Sequence, residues 1–263
     1  ALTGEGKSGA RPRGLDTHEG KGYLPFEILP DLFESLKKRG SGFLRYGDLD
    51  WSDDFDPALM YRREYSNWKK KMDQENARAA ARRWFVIQLD LDAEPERGMY
   101  AIEAAVSHGV SVNVMLFNRR INRKFLRETG RIEFTEYRLD IPLLQSLHES
   151  GQVEVGYHSN AMEVALWDPL AAQSIFRRDV EELRTLFPTL SCFSPHGGVR
   201  GPNGLNNNDI EISHSIQQEL GIRWVHNKRS PSFSRGYSDG GFSNKSRPPE
   251  RLDLRRFLAE TTP

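Results

Sequence analysis

Acidic and histidine side chains stand at the ends of several predicted strands. Asp90 and Asp92 end the apolar run WFVIQLDLD, His158 ends VEVGYH, His196 follows LSCFSP, and His226 ends IRWVH. The carboxyl ends of parallel strands in βα folds meet on one side of the molecule, where sites are built. Four separate strands would therefore bring two aspartates and three histidines to one rim. That convergence indicates a site, which a single histidine would not.

This set of side chains is typical of a catalytic metal centre. One carboxylate and two imidazoles with an open coordination position suit a divalent metal such as Zn²⁺. The metal would lower the pKa of a bound water and polarise a substrate carbonyl. Asp90 and Asp92 are two residues apart and share one face of an ideal strand, so one can bind metal while the other accepts a proton. The alternative is that both aspartates only cap the next helix.

The elements that must position these residues alternate between strand and helix. Five strands are predicted, at 84–92, 110–117, 153–158, 190–198 and 222–226. The range 190–198 includes a glycine turn after the strand. Helical patterns lie between them, begin at signals such as Asp168-Pro169, and stop at glycines such as Gly109, Gly151 and Gly221. This alternation predicts an α/β fold made of repeated βα units, with a parallel sheet or barrel.

The first 83 residues have a different character. Residues 1–22 are rich in glycine, arginine and lysine and are predicted to form a flexible tail. Residues 23–83 are predicted to be a mostly helical extension, with a helix at Pro30–Arg39. The catalytic unit is expected at 84–263.

Composition excludes several classes of protein. The 263 residues include 37 Lys+Arg and 37 Asp+Glu, a formal net charge of +0, which argues against general binding to nucleic acid or to an acidic membrane. A single cysteine excludes an intrachain disulfide framework and a multi-cysteine zinc site. No run approaches the ~18 apolar residues of a transmembrane segment. No signal peptide is evident, so a cytoplasmic location is expected.

Four segments resemble one enzyme family. The segments QLDLDAEPERGMYAIEAAVSHGVSVNVMLF, GQVEVGYHSN, FSPHGG and GYSDGG are similar to the polysaccharide deacetylase (NodB-homology) superfamily, a carbohydrate esterase type. The likeness is greatest to divergent members from bacterial surface-glycan biosynthesis clusters, and it covers roughly residues 84–242. The resemblance implies a deformed (β/α) barrel of about seven strands. It also implies a divalent metal, Zn²⁺ in first place, with Co²⁺, Ni²⁺ or Mn²⁺ as alternatives.

The resemblance also assigns roles to individual residues. Asp90 would be the general base, and Asp92 and His158 would bind the metal. Ser159 follows His158 as the family's second motif requires, and Trp167 either stacks on a sugar or packs in the core. The residues assigned to substrate contact are Ser159, Asn160, Trp167, Pro195 and Gly197.

The chain departs from the family pattern in three places. The family's second metal histidine falls on Met162, so His196 is predicted as the third ligand, with Asn160 and Glu163 as weaker candidates. The arginine that steadies the base is absent. The family's terminal general-acid histidine is also missing. Either the last strand of the barrel is lacking, or His226 or Asp239 is the acid.

The resulting functional prediction is hydrolysis of an acetyl group on a sugar. The group would be N-acetyl in preference to O-acetyl, in a glycan or glycan precursor, with Asp90 as base and a metal-activated water. The partner would be the acetylated carbohydrate, with no nucleic acid and no transmembrane segment. Two alternatives stay open: a catalytically impaired glycan-binding or glycan-assembly protein on the same barrel, and a metal-dependent hydrolase of another amide or ester.

Overall fold

The computed structural model describes residues within the range 29 to 225. The described segments are 29–39, 42–49, 84–92, 94–197, 200–210 and 214–225. All of them belong to one compact unit, Leu29–Ser234. The predicted tail at 1–22 and the two candidate acids, His226 and Asp239, lie outside the described residues.

Nine strands occur in the described segments, and five of them form the central sheet. They are β1 (Gly42–Phe43), β2 (Trp84–Phe85), β3 (Gln88–Leu91), β4 (Val112–Leu116), β5 (Arg120–Ile121), β6 (Phe134–Thr135), β7 (Val153–Ser159), β8 (Cys192–Pro195) and β9 (Arg223–Trp224). The central sheet has the order β3-β4-β7-β8-β9, and every neighbouring pair is parallel. The predicted α/β class with a parallel sheet is therefore confirmed.

Helices lie before and between these strands, and the predicted start at Asp168-Pro169 is confirmed. They are α1 (Leu29–Arg39), α2 (Pro95–Ser107), α3 (Arg123–Thr129), α4 (Ile141–Glu149), α5 (Ala161–Val164), α6 (Pro169–Leu186) and α7 (His214–Leu220). The Asp168 carboxylate accepts hydrogen bonds from two backbone amides of the first turn of α6, and Pro169 is the first helical residue. The predicted stops Gly109, Gly151 and Gly221 all have positive φ.

The run predicted as a single strand at 84–92 forms two strands. Residues of β2 pair with β1 in a separate two-stranded sheet, whereas β3 pairs with β4 in the central sheet. The change of pairing partner breaks the strand at Val86 and Ile87. The sequence interpretation also missed the antiparallel pair β5–β6, because each of its strands has only two residues.

The two faces of the central sheet have different neighbours. On one face, Tyr157 and Phe193 contact Phe176 of α6, with ring centroids 5.4 and 4.7 Å apart. Because side chains alternate along a strand, the intervening residues point to the opposite face. We call this opposite face the inner face, and its residues include Gln88, Asp90, Asn113, Met115, Glu154, Gly156, His158, Cys192 and Ser194.

The N-terminal segment 42–49 lies on the inner face. Tyr46 is only 1% exposed and belongs to a core cluster with Met115, Cys192 and Val225. Its backbone N–H donates to Asn113 Oδ1 at 2.8 Å. The next amide, that of Gly47, donates to the Glu154 carboxylate at 2.7 Å. Buried polar groups of the sheet thus find their partners in this segment.

Gly156 allows the inner face to pack closely at its centre. A Cβ at this position would lie 2.6 Å from Met115 Sδ and 2.7 Å from Cys192 Sγ. Both distances are too short for van der Waals contact, so any larger residue would displace its neighbours. Cys192 is buried, as the sequence predicts for a small core residue. Among the described residues, no helix has both the length and the apolar content needed to cross a membrane.

Candidate metal centre

Three of the residues predicted from the strand ends come together at one rim of the sheet. Asp92 follows β3, His158 is the sixth residue of β7, and His196 follows β8. A ligand atom from each lies within 4.8 Å of the others. His196 Nε2 is 3.3 Å from Asp92 Oδ2. These three side chains could hold a metal ion, as the sequence predicts.

Asp90, the predicted base, lies beside this group. Its Oδ2 is 4.0 Å from His158 Nε2, and its side chain is 41% exposed. His158 itself is almost completely buried. A carboxylate that is open to solvent and adjacent to a buried ligand set can exchange protons with a substrate or water at the rim.

The His158 ring is oriented by β8. Its Nδ1 lies 3.2 Å from the carbonyl oxygen of Ser194 and 3.0 Å from Ser194 Oγ. Because a carbonyl oxygen can only accept a hydrogen bond, this contact favours the tautomer in which Nδ1 carries the proton and Nε2 keeps its lone pair for a metal. Burial lowers the pKa of His158, and the opposing effects of Asp90 and Asp92 do not restore it. The neutral imidazole that a metal requires is therefore the favoured form.

His196 has a different electrostatic environment. Burial disfavours its charged form, but the Asp92 and Glu163 carboxylates outweigh burial and raise the pKa of His196. Its Nδ1 is 3.6 Å from Glu163 Oε1, and neither atom has a hydrogen-bond partner among the described residues. A metal at Nε2 would have to displace a proton from this ring. The ring then keeps its Nδ1 proton, and the Glu163 carboxylate is placed to face that N–H as an acceptor and to orient the ring.

An aromatic side chain supports both histidines. Phe117, which directly follows β4, stacks on His158 with centroids 5.3 Å apart and contacts His196 at 5.5 Å. Tyr137 fixes the end of β4 to that of β3, because its hydroxyl donates to Leu91 O and accepts from the Phe117 amide. The sequence interpretation missed Phe117, although its position at a strand end was the signal used for the histidines.

Helix α5 holds Glu163 behind His196. The helix has a single turn, and Asn207 Oδ1 accepts hydrogen bonds from the Met162 and Glu163 amides. Glu163 is fully buried and also pairs with Arg123, whose Nε lies 3.4 Å from Glu163 Oε2. The sequence makes Glu163 a weaker candidate for the third ligand. Its carboxylate lies beside Nδ1 of His196, the ring nitrogen that faces away from Asp92. Met162 is buried in the core.

Three of the residues predicted to contact substrate are buried. Ser159 and Asn160 have no exposed surface, and the Asn160 amide donates to Arg119 O. Trp167 is 7% exposed and lies beneath Gly201, where a Cβ would approach its ring to 2.3 Å. Ser159 and Asn160 therefore offer no surface for contact with a sugar, and Trp167 offers very little, which fits the core alternative for Trp167.

The two remaining substrate-contact candidates lie at the rim. Pro195 is half-buried at the end of β8, and Gly197 is exposed directly after His196. Both residues adjoin His196 in sequence, and their exposed surface leaves the predicted contact with substrate possible. A cavity of about 370 Å³ also adjoins the site, and its lining residues are Asp92, Arg120, Ile121, Asn122, Arg123 and Thr135.

We expect Glu163→Gln to weaken metal binding by about 10–100-fold, the usual cost of losing a partner of a metal-binding histidine. The amide keeps the size of the carboxylate but removes the charge that faces His196 Nδ1. Titration with Zn²⁺ against a competing chelator measures the change. Glu181→Gln, an exposed substitution on α6, is the control. Equal affinities in the two variants would contradict the orienting role of Glu163.

Comparison with known protein families, with curated proteins and with solved structures finds no match for this chain.

Proposed function

We propose that this chain is a metal-dependent carbohydrate deacetylase that removes an N-acetyl group, or less readily an O-acetyl group, from a sugar. The observation that carries the proposal is the meeting of Asp92, His158 and His196 within 4.8 Å, with Asp90 beside them. The resemblance of the motifs around these residues to the polysaccharide deacetylase superfamily supplies the reaction and the substrate class. The glycan and its place in a bacterial surface-glycan pathway follow from that resemblance alone.

The proposal includes the complete fold, a deformed (β/α) barrel of about seven strands. Its support is the order of the five parallel strands, which is the same across the sheet as along the chain. A barrel built from consecutive βα units has this sequential order, because each strand pairs with the strands before and after it in the series. The inner face of the sheet then corresponds to the barrel interior, where Tyr46 packs.

The donor set fits a divalent metal, with Zn²⁺ first. Asp92, His158 and His196 would hold it, and these oxygen and nitrogen ligands suit zinc, cobalt, nickel or manganese. When bound, the metal would lower the pKa of a water and polarise the acetyl carbonyl. Such a site with three protein ligands leaves a position open for catalysis.

The chain's own residues would perform the proton transfers. Asp90 accepts the proton of the attacking water, because it is the carboxylate at the rim that does not belong to the ligand group. The water oxygen adds to the carbonyl carbon of the acetyl group, and the amide bond between that carbon and the sugar's nitrogen breaks, which gives acetate and the amino sugar. A general acid then returns a proton to the departing amine. His226 and Asp239 are the candidates for that acid, and they lie outside the described residues.

Removal of the metal tests the proposal directly. We expect the purified protein to bind one divalent ion per chain and to release acetate from N-acetylglucosamine oligomers. Chelation should abolish acetate release, and added Zn²⁺ or Co²⁺ should restore it, because the metal supplies several kcal/mol of charge stabilisation. Circular dichroism before and after chelation controls for unfolding.

Two other outcomes would replace the proposal. A folded protein that binds the oligomers but releases no acetate with metal present would be the glycan-binding or glycan-assembly alternative. That outcome is compatible with the direct contact between His196 and Asp92, which can exist as an ion pair without metal. Release of product only from other amides or esters would instead identify a hydrolase of a different substrate class.

A further inference from the structure

We propose that Tyr46 and Gln88 are positioning residues that hold the Asp90 carboxylate in its working orientation. The N-terminal segment 42–49 would then be part of the catalytic machinery and not only a cover for the sheet. This inference rests on the proposed function, because it concerns the residue proposed as the base. Its basis is a chain of hydrogen bonds on the inner face of the sheet that leads from Tyr46 through Gln88 to Asp90.

The chain of hydrogen bonds has two links of equal length. The Tyr46 hydroxyl donates to Gln88 Oε1 at 2.8 Å, and Gln88 Nε2 donates to Asp90 Oδ1 at 2.8 Å. Gln88 and Asp90 are two residues apart on β3 and therefore point to the same face. One oxygen of Asp90 is held by this chain, while the other faces His158 at 4.0 Å.

Asp90 and Tyr46 together determine which way the Gln88 amide points. A flipped amide would place Gln88 Oε1 against the Asp90 carboxylate, and two acceptors would then face each other. In the orientation that Asp90 requires, Nε2 faces the carboxylate and Oε1 faces Tyr46. The Tyr46 hydroxyl then donates to Oε1, and this hydrogen bond stabilises the orientation. Burial raises the pKa of Tyr46 and keeps this donor protonated.

Tyr46 can act in this way because it is fixed in place. Its side chain is 1% exposed, its amide is bound by Asn113, and the following amide is bound by Glu154. Both acceptors belong to central strands of the sheet, β4 and β7. The position of the hydroxyl is thus set by the same sheet that carries the metal ligands, and the hydrogen-bond chain transmits that position to Asp90.

Kinetics of single and double variants test the inference. We expect Tyr46→Phe and Gln88→Met each to lower kcat by about 10–100-fold, the range for partners of active-site groups, with KM and Zn²⁺ affinity unchanged. The double variant should be no slower than Gln88→Met, because both residues act through one chain. Tyr100→Phe, which makes the same substitution at a partly exposed tyrosine of α2, is the control. A Tyr46→Phe variant as fast as the control would overturn the inference, as would simple multiplication of the two effects.

A measurement without substrate separates this inference from the proposed function. In ¹⁵N-labelled protein, one side-chain amide proton of Gln88 should resonate downfield, and Asp90→Asn and Tyr46→Phe should each shift it while Tyr100→Phe should not. A signal that none of the variants moves would overturn the hydrogen-bond chain itself. If metal-loaded wild-type protein releases no acetate, the proposed function is overturned. The catalytic role of the Tyr46–Gln88–Asp90 hydrogen bonds is then overturned as well.

Discussion

Asp90→Asn is expected to lower the rate of acetate release by about 10²–10⁴-fold, the usual contribution of a general base, while the metal stays bound. Asparagine keeps the size of the side chain and can still accept a hydrogen bond from Gln88. Its amide, however, cannot take the proton of the attacking water. The metal should remain, because the ligand group consists of Asp92, His158 and His196.

The measurement pairs acetate release with metal content in the same preparation. Asp31→Asn is a matched control, because Asp31 is an exposed residue in the first turn of α1 and lies far along the chain from the strand ends. Metal content distinguishes a base from a ligand. If Asp90→Asn loses the metal together with acetate release, Asp90 is a metal ligand. Acetate release at the wild-type rate would exclude Asp90 as the base.

The rim of the site could be predicted because it depends on local patterns. Alternation within a strand places Asp90 and Asp92 on one side of β3, and the common direction of parallel strands brings His158 and His196 to the same end. Both rules need only the positions of the strands and not their exact bounds. For this reason the prediction that these four side chains meet is correct even though the run at 84–92 forms two strands and not one.

The groups that support the site could not be predicted from these patterns. Tyr46 reaches Gln88 across 42 positions in sequence, through a segment whose pairing is fixed by Asn113 and Glu154. Glu163 reaches His196 from a helix of one turn, which is too short to show a helical period. The position of Gln88 could have been predicted, because it precedes Asp90 by two residues in β3 and therefore lies on the same face. Long-range contacts of this kind appear only when the tertiary structure is known.

His158→Gln is expected to lower metal affinity by more than the roughly 100-fold that loss of a supporting group costs, and to abolish acetate release. The His158 side chain is one of three ligands, and its Nε2 is the atom available to the metal. Glutamine can still hydrogen-bond to Ser194 and fill most of the space beside Phe117. It is therefore a safer test than His158→Ala, which should also lose the metal but would leave a cavity in a buried position.

Metal content after dialysis, Zn²⁺ titration and thermal unfolding together make this prediction decisive. His108→Gln is the matched control, because His108 follows α2 and bonds to Ala104 O at the opposite end of its helix from the rim. The His158 variant should unfold cooperatively without metal. Added Zn²⁺ should raise the unfolding temperature of wild-type protein and of the His108→Gln control, but not that of the His158 variant. A His158→Gln protein that binds Zn²⁺ as tightly as the control would remove His158 from the ligand set and, with it, the proposed mechanism.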